Sequence, residues 1–188
     1  MAVRNGAAPL LKTGQPVFET ERLVLRGFAA VDLEPFLALY ADGDAARFIG
    51  GPETRAVAWR RFAACVGHVP MRGYGPFSWV RKGDGAWIGF GGPWFPEGKP
   101  GAEVMWALAP RFHGQGYAHE AASAMLDHVA RDLGWRSVLS VIDPANAPSR
   151  RLAERLGAVV DGAWHGGPGG RELLLYRHDL TGRLSQNA

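Results

Sequence analysis

The stretch from Ala102 to Leu133 constrains the fold most, because its hydrophobic period changes across a glycine-bearing loop. Ala102–Ala109 alternates Val104, Trp106 and Leu108 against Glu103, Met105 and Ala107, the period of about two that a strand requires. After the loop Arg111–Gly116, the positions Ala118, Ala121, Ala122, Met125, Leu126, Val129 and Leu133 recur at helical spacing. The pattern predicts a helix over Tyr117–Leu133 that Gly134 stops. A two-faced strand that passes directly into a long one-sided helix calls for a sheet with helices packed on it.

The flanking segments extend that reading. Glu21–Phe28 alternates as a first strand, with Leu23 and Leu25 on one face. Asp32 is a candidate cap for a short helix marked by Leu33, Phe36, Leu37 and Tyr40. From Thr54, the residues Ala58, Phe62, Cys65, Val66 and Val69 form a second stripe expected to end before Pro70. Phe77–Arg81 and Ala86–Gly92 read as a hairpin around Lys82-Gly83-Asp84-Gly85. Ser137–Ile142 is a strand, Ala147–Leu156 a helix stopped by Gly157, and Ala158–His165 and Arg171–Leu180 are strands around a glycine-rich turn, Gly166–Gly170. The expected class is therefore α+β: a mixed, mostly antiparallel sheet of about seven strands with four helices, in the order β α α β β β α β α β β.

Composition narrows the function classes. With 188 residues, 47% of them hydrophobic and 21% charged, the chain suits a single globular domain. We read 1–17 as a flexible N-terminal arm, 18–182 as the domain and 183–188 as a tail. No stretch approaches the roughly 18 apolar residues of a membrane span, and the first residues lack the core of a secretory signal. The lone Cys65 cannot form an internal disulfide, which suits a cytoplasmic setting. A net charge of +3 without long basic runs gives no nucleic-acid or membrane partner.

The chemistry concentrates in Arg111-Phe112-His113-Gly114-Gln115-Gly116-Tyr117-Ala118. A loop that opens a long helix offers unpaired N–H groups and the positive end of the helix dipole, which favour a phosphate. The same loop also reads as a plain strand-to-helix turn without a ligand. A P-loop is excluded, since no Gly-Lys-Ser/Thr follows at the required spacing. A dinucleotide fingerprint, and with it nicotinamide redox chemistry, is disfavoured by His119 where a third glycine or alanine belongs. No histidine pair has zinc-protease spacing, so no metal is assigned.

Arg111-x-x-Gly114-x-Gly116-Tyr117-Ala118, after a strand ending Ala109-Pro110, resembles the acetyl-coenzyme A pyrophosphate loop of the GNAT N-acetyltransferase superfamily. Asn146-x-x-Ser149-x-x-x-x-Glu154-x-Leu156-Gly157 and the opening Glu19-Thr20-Glu21-Arg22-Leu23-Val24-Leu25-Arg26 are similar to its RimJ/RimL branch, the ribosomal-protein N-terminal acetyltransferases. Two positions depart from that pattern: Ala158 stands where the branch has Phe, and Ala153 where many superfamily members carry a tyrosine acid.

The resemblance implies acetyl transfer from acetyl-coenzyme A to a primary amine, of a protein N-terminus or a small molecule, by direct attack on the thioester. It implies that the backbone of residues 112–118 cradles the pyrophosphate, and that Trp106, Ala107 and Leu108 run beside the pantetheine arm, one of their N–H groups polarising the carbonyl. On the same ground Glu103 is the candidate base, with a salt-bridged strand residue as its alternative. Ser149 is the candidate donor to the leaving thiolate and Asn146 a cofactor contact, with helix capping as the alternative for both. Trp59, Trp79, Trp94 and Trp106 are candidates for an aromatic acceptor pocket or for core packing. A non-catalytic acyl-coenzyme A sensor is the competing function, and a homodimer is left open.

Overall fold

In the computed structural model, which describes residues 14–166 and 168–184, one eight-stranded sheet carries helices on both faces. The chain runs through β1 (Phe18–Glu19), β2 (Leu23–Arg26), α1 (Leu33–Ala41), α2 (Gly43–Ala46), α3 (Arg55–Arg72), β3 (Phe77–Arg81), β4 (Trp87–Trp94) and β5 (Glu103–Leu108). It continues through α4 (Tyr117–Arg131), β6 (Ser137–Ile142), α5 (Ala147–Arg155), β7 (Val159–Trp164), β8 (Leu173–Asp179) and α6 (Thr181–Leu184). The sheet order is β1-β2-β3-β4-β5-β6-β8-β7, and only β5 and β6 are parallel. This is the expected α+β architecture, with the two-residue β1 and the single turns α2 and α6 added. The arm expected over 1–17 lies outside the described residues as far as 13, and the tail does so from 185.

The alternation of each strand decides which core it joins. Leu23, Leu25, Trp79, Ile88 and Val104 face α4, whose Ala121, Ala122, Met125, Leu126 and Val129 are fully buried. The alanines let α4 lie close to the sheet, while each larger side chain contributes about 1.5–3 kcal/mol by leaving water. On the opposite face Phe36, Tyr40, Cys65, Phe90 and Ala107 pack between α1, α3 and the sheet. Phe36 touches Phe28, Phe62 and Phe90 at ring separations of 6.1, 5.3 and 4.8 Å.

Most element ends shift by one or two residues, and three departures from the sequence expectations have a specific physical cause. Helix α3 continues through Pro70 to Arg72, because Pro70 falls in its last turns and Gly73, left-handed at φ 80°, closes the end by donating to Val69 O at 2.8 Å. Strand β4 runs past Gly92 to Trp94. Pro93 is tolerated there because, by the alternation of the ladder, its missing N–H points away from β5, beyond the end of β3. Asp32 does not cap α1: its carboxylate turns inward and accepts from Arg26 (2.7 and 2.8 Å), Ser78 Oγ (2.8 Å) and Ala29 N–H (2.7 Å). A carboxylate only 1% exposed needs those partners more than a helix end needs a cap.

His178 on β8 is 1% exposed and lies 3.1 Å from Ser140 Oγ. Ser140 spends its own hydrogen on Val104 O at 2.8 Å, so His178 Nε2 donates to it. Burial, and then the charge of Arg183, push the His178 pKa down to about 4. The folded state thus holds this imidazole neutral, and its contribution to stability is complete above the unfolded value of about 6.5. That contribution is lost as pH falls from about 6.5 to 4, by about 3 kcal/mol for this shift. Urea unfolding at pH 7 and pH 4.5 is expected to show a larger acid-side loss in the native protein than in His178→Gln, which keeps the donor but does not titrate.

Candidate functional site

The site begins where the sheet comes apart. Ala109 donates to Ile88 O at 2.8 Å, which sets the antiparallel alternation: Glu103, Met105 and Ala107 bond to β4, and Val104, Trp106 and Leu108 turn their backbone groups toward β6. Strand β6 meets them only once, in the register pair Glu103–Leu139. Beyond that pair β5 and β6 diverge, and side chains take over from ladder bonds. Ser140 Oγ caps Val104 O, the Val141 N–H donates to the Glu103 carboxylate, and His113 Nε2 lies 2.9 Å from Leu108 O. The backbone N–H of Trp106 faces the gap.

A cavity of about 500 Å³ passes through this opening. On the α1/α3 side it is lined by Phe48, Arg61, Phe90 and Trp94, and on the α5 side by Asn146 and Ser149. Glu103 lies between them, 2% exposed, with its carboxylate 2.7 Å from Lys99 Nζ. Burial raises its pKa, against the opposing pull of Lys99 and the Val141 N–H. Glu103 is therefore both a salt-bridged strand residue and a carboxylate whose proton affinity exceeds the ordinary value.

Ser149 Oγ accepts from Trp106 Nε1 at 3.2 Å, which leaves the hydroxyl hydrogen free to donate. Asn146 is the cap of α5, its Oδ1 accepting from Ser149 N–H at 3.2 Å, and both residues line the cavity, so capping and facing the site coexist. Ala153 and Ala158, the two departures noted above, pack with Ile142 around the fully buried Tyr176. The small side chains make room for that ring. Of the four tryptophans, Trp94 and Trp106 line the cavity, Trp79 is fully buried in the α4 core, and Trp59 is 54% exposed.

The glycine loop hangs from the end of β5. Gly114 and Gly116 take left-handed φ angles of 73° and 83°, and among the described residues no side chain caps the first turn of α4. The N–H groups of that turn are left to an outside acceptor. Phe112 N–H and His113 N–H are already spent on Ala109 O (2.9 Å) and Pro110 O (3.0 Å), so the open donors begin at Gly114. Phe112 and Tyr117 are buried beneath the loop, while the Arg111 guanidinium sits over the Phe112 ring and has no ion pair among the described residues. Gln115 Nε2 donates to Arg111 O at 3.0 Å, and Ala118 and His119 follow in the uncapped turn. A cradle of glycines and unused N–H groups fits a pyrophosphate.

Sequence reasoning missed what holds this loop in place. Arg22 donates to Glu120 Oε2 through Nε at 2.7 Å and to Gln115 O through Nη1 at 2.9 Å, and its guanidinium lies 4.4 Å above the Tyr117 ring. Glu120 also accepts from Thr20 Oγ1 (2.5 Å) and Arg22 N–H (2.8 Å). Burial works to raise the Glu120 pKa, but these donors outweigh it and hold the carboxyl below its usual range. The signal was present as the opening Thr20-Glu21-Arg22 motif and an acidic residue in the first turn of α4, but no spacing rule links positions so far apart.

Residues 22–159 match the family model described as an acetyltransferase (GNAT) domain. The chain is 36% identical over 90 residues to the uncharacterized protein YkkB of Bacillus subtilis, a segment covering 46% of this chain and 52% of that relative, so the chain spans about half its length. An acetyltransferase from Agrobacterium tumefaciens superposes with a TM-score of 0.80 at 29% identity, covering 87% of this chain and 94% of that one. A ribosomal-protein-S5-alanine acetyltransferase from Vibrio fischeri shares the fold, with a TM-score of 0.68 at 16% identity over 89% and 98% of the two chains. The chain belongs to the GNAT acetyltransferase family, in the group whose members resemble RimJ and RimL. Among the described residues no cluster of His, Cys, Asp or Glu could hold a metal ion, and no helix is long and apolar enough to cross a membrane.

The clamp gives a direct prediction. Arg22→Lys keeps the charge but cannot reach Glu120 and Gln115 O with a planar fork. Isothermal titration is expected to show coenzyme A affinity lower by about tenfold in Arg22→Lys, the effect of losing about 1.4 kcal/mol of loop positioning.

Proposed function

We propose that the protein transfers an acetyl group from acetyl-coenzyme A to a primary amine. The observation that carries this reading is the placing of a buried carboxylate of raised pKa, Glu103, and a donating hydroxyl, Ser149, around one cavity in the opened sheet. Acetyl-coenzyme A would supply the acyl carbon as a thioester; the N–H groups of Gly114–Ala118 would hold its pyrophosphate, and Trp106–Leu108 and Asn146 would hold its arm. Glu103, directly or through water, takes a proton from the acceptor ammonium, so that the nitrogen lone pair can attack the acyl carbon. The Trp106 N–H, which turns toward the gap, would donate to the carbonyl oxygen. As the C–N bond forms and the C–S bond breaks, Ser149 donates toward the departing sulfur, and the products are an amide, a thiol and one released proton.

This reading takes 18–182 as the transferase domain and a cytoplasmic setting, in which the buried Cys65 thiol, pushed up to about 12 by burial, stays unreactive. The competing sensor reading differs only in turnover. Saturation with acetyl-coenzyme A at about 100 times Kd is expected to raise the thermal midpoint by about 5–11 °C. Glu103→Gln is expected to lower kcat at pH 7.5 by at least about 100-fold, and Ser149→Ala by about 10–100-fold, with the thermal shift retained. Ligand binding without turnover on any amine would turn the reading to the sensor.

A further inference from the structure

Resting on that reading, we infer that the acceptor is a monoamine with an aromatic or bulky apolar body, and not a polyamine or a peptide N-terminus. Each charged side chain lining the cavity is already paired: Lys99 with Glu103 at 2.7 Å, Arg61 with Glu53 at 2.5 Å, and Asp143 with Arg171 at 3.0 Å. Of the two carboxylates in the lining, Asp143 is held by Arg171 and by the Ala145 N–H at 2.9 Å. Glu103, itself paired with Lys99, is the carboxylate that the proposed mechanism assigns to the incoming ammonium, and a second cationic nitrogen would find no carboxylate in the lining that is not already held by a cation.

Apart from the Tyr40 hydroxyl, the rest of the α1/α3 side is mainly apolar. Phe48, Ile49, Phe90, Trp94 and Met105 form its walls. In the β4–β5 register Trp94 stands directly opposite Glu103, so the indole and the carboxylate are neighbours on one face of the sheet. The indole is held from behind. The His68 ring lies against it at 4.3 Å and is itself fixed by accepting from Phe95 N–H at 3.2 Å. Burial, and then the charge of Arg72, lower the His68 pKa and favour the neutral ring that this bond requires. A rigid aromatic wall beside the Glu103 carboxylate fits an aryl ring linked by a short chain to one amine. The amide groups that follow a peptide's terminal amine would enter the same apolar walls without hydrogen-bond partners.

The test compares 2-phenylethylamine, tryptamine, spermidine and an Ala-initiated tetrapeptide as acceptors, by release of the coenzyme A thiol, after a thermal-shift measurement with acetyl-coenzyme A. The expected result is a kcat/KM for the two aryl amines at least about tenfold above those of spermidine and the peptide. Trp94→Ala should lose at least about tenfold through KM, and Trp94→Phe should recover most of it, with the acetyl-coenzyme A shift unchanged in both. Preference for spermidine or the peptide overturns the inference, as does an acetyl-coenzyme A shift with no aryl-amine turnover. Absence of any shift overturns the acetyltransferase reading itself.

Discussion

The divergence of β5 and β6 after their single register pair, Glu103–Leu139, is the constraint on which the rest of the molecule depends. A parallel pair that separates leaves a row of N–H and C=O groups without ladder partners, and the interior of a sheet cannot leave them bare. Here Ser140 covers Val104 O, the Glu103 carboxylate covers the Val141 N–H, and His178 in turn supports Ser140. The substitutions that make the gap tolerable also line it with a hydroxyl and a carboxylate. Structure and chemistry share the same atoms, and Trp106, released from β6, holds Ser149 from the far side of the strand.

Two ionic nodes fix the strands that frame this gap, and both use arginines of the opening strand. Arg22 ties the glycine loop and the first turn of α4 to the start of β2, and Arg26 neutralises the buried Asp32, which also accepts from Ser78 on β3. Such pairs contribute little net stability: desolvation offsets most of the attraction at the buried Asp32, and solvent screens it at the half-exposed Arg22. Their value is in position. A loop of glycines with an uncapped helix behind it would otherwise sample many shapes, and an anion cradle is useful only if its donors converge.

What the fold owes to local pattern is plain in α4 and in the β3–β4 hairpin, whose periods leave little choice of element. The failures were equally physical. Pro70 reads as a stop, and the strand of the hairpin as ending at Gly92, because a chain pattern does not show what a missing N–H costs: at Pro93 the ladder to β5 does not use it, and at Pro70 one bond to Val66 O is lost only in the last turns of α3, where Gly73 closes the helix. Asp32 read as a cap because the sequence does not show Arg26, Ser78 and Ala29 converging on it. At the site, Glu103 and Ser149 stood out by position in recognisable motifs. Ser140, His178 and the Arg22–Glu120 clamp did not, since each acts through a partner distant in sequence, and Lys99 did not because no regular element between Trp94 and Glu103 gives its four-residue spacing to Glu103 a meaning.

The sequence by itself determined the element order, the two faces of β5, the glycine loop opening α4 and the class of chemistry those imply. These follow from short-range rules of period, turn and helix end that a few neighbouring residues satisfy alone. Only the tertiary structure decided that β5 and β6 part, that Glu103 is buried with its proton affinity raised, and that Trp94 faces it from β4. Burial and pairing depend on residues dozens of positions apart, and their effect on a carboxylate exists only once water has been excluded.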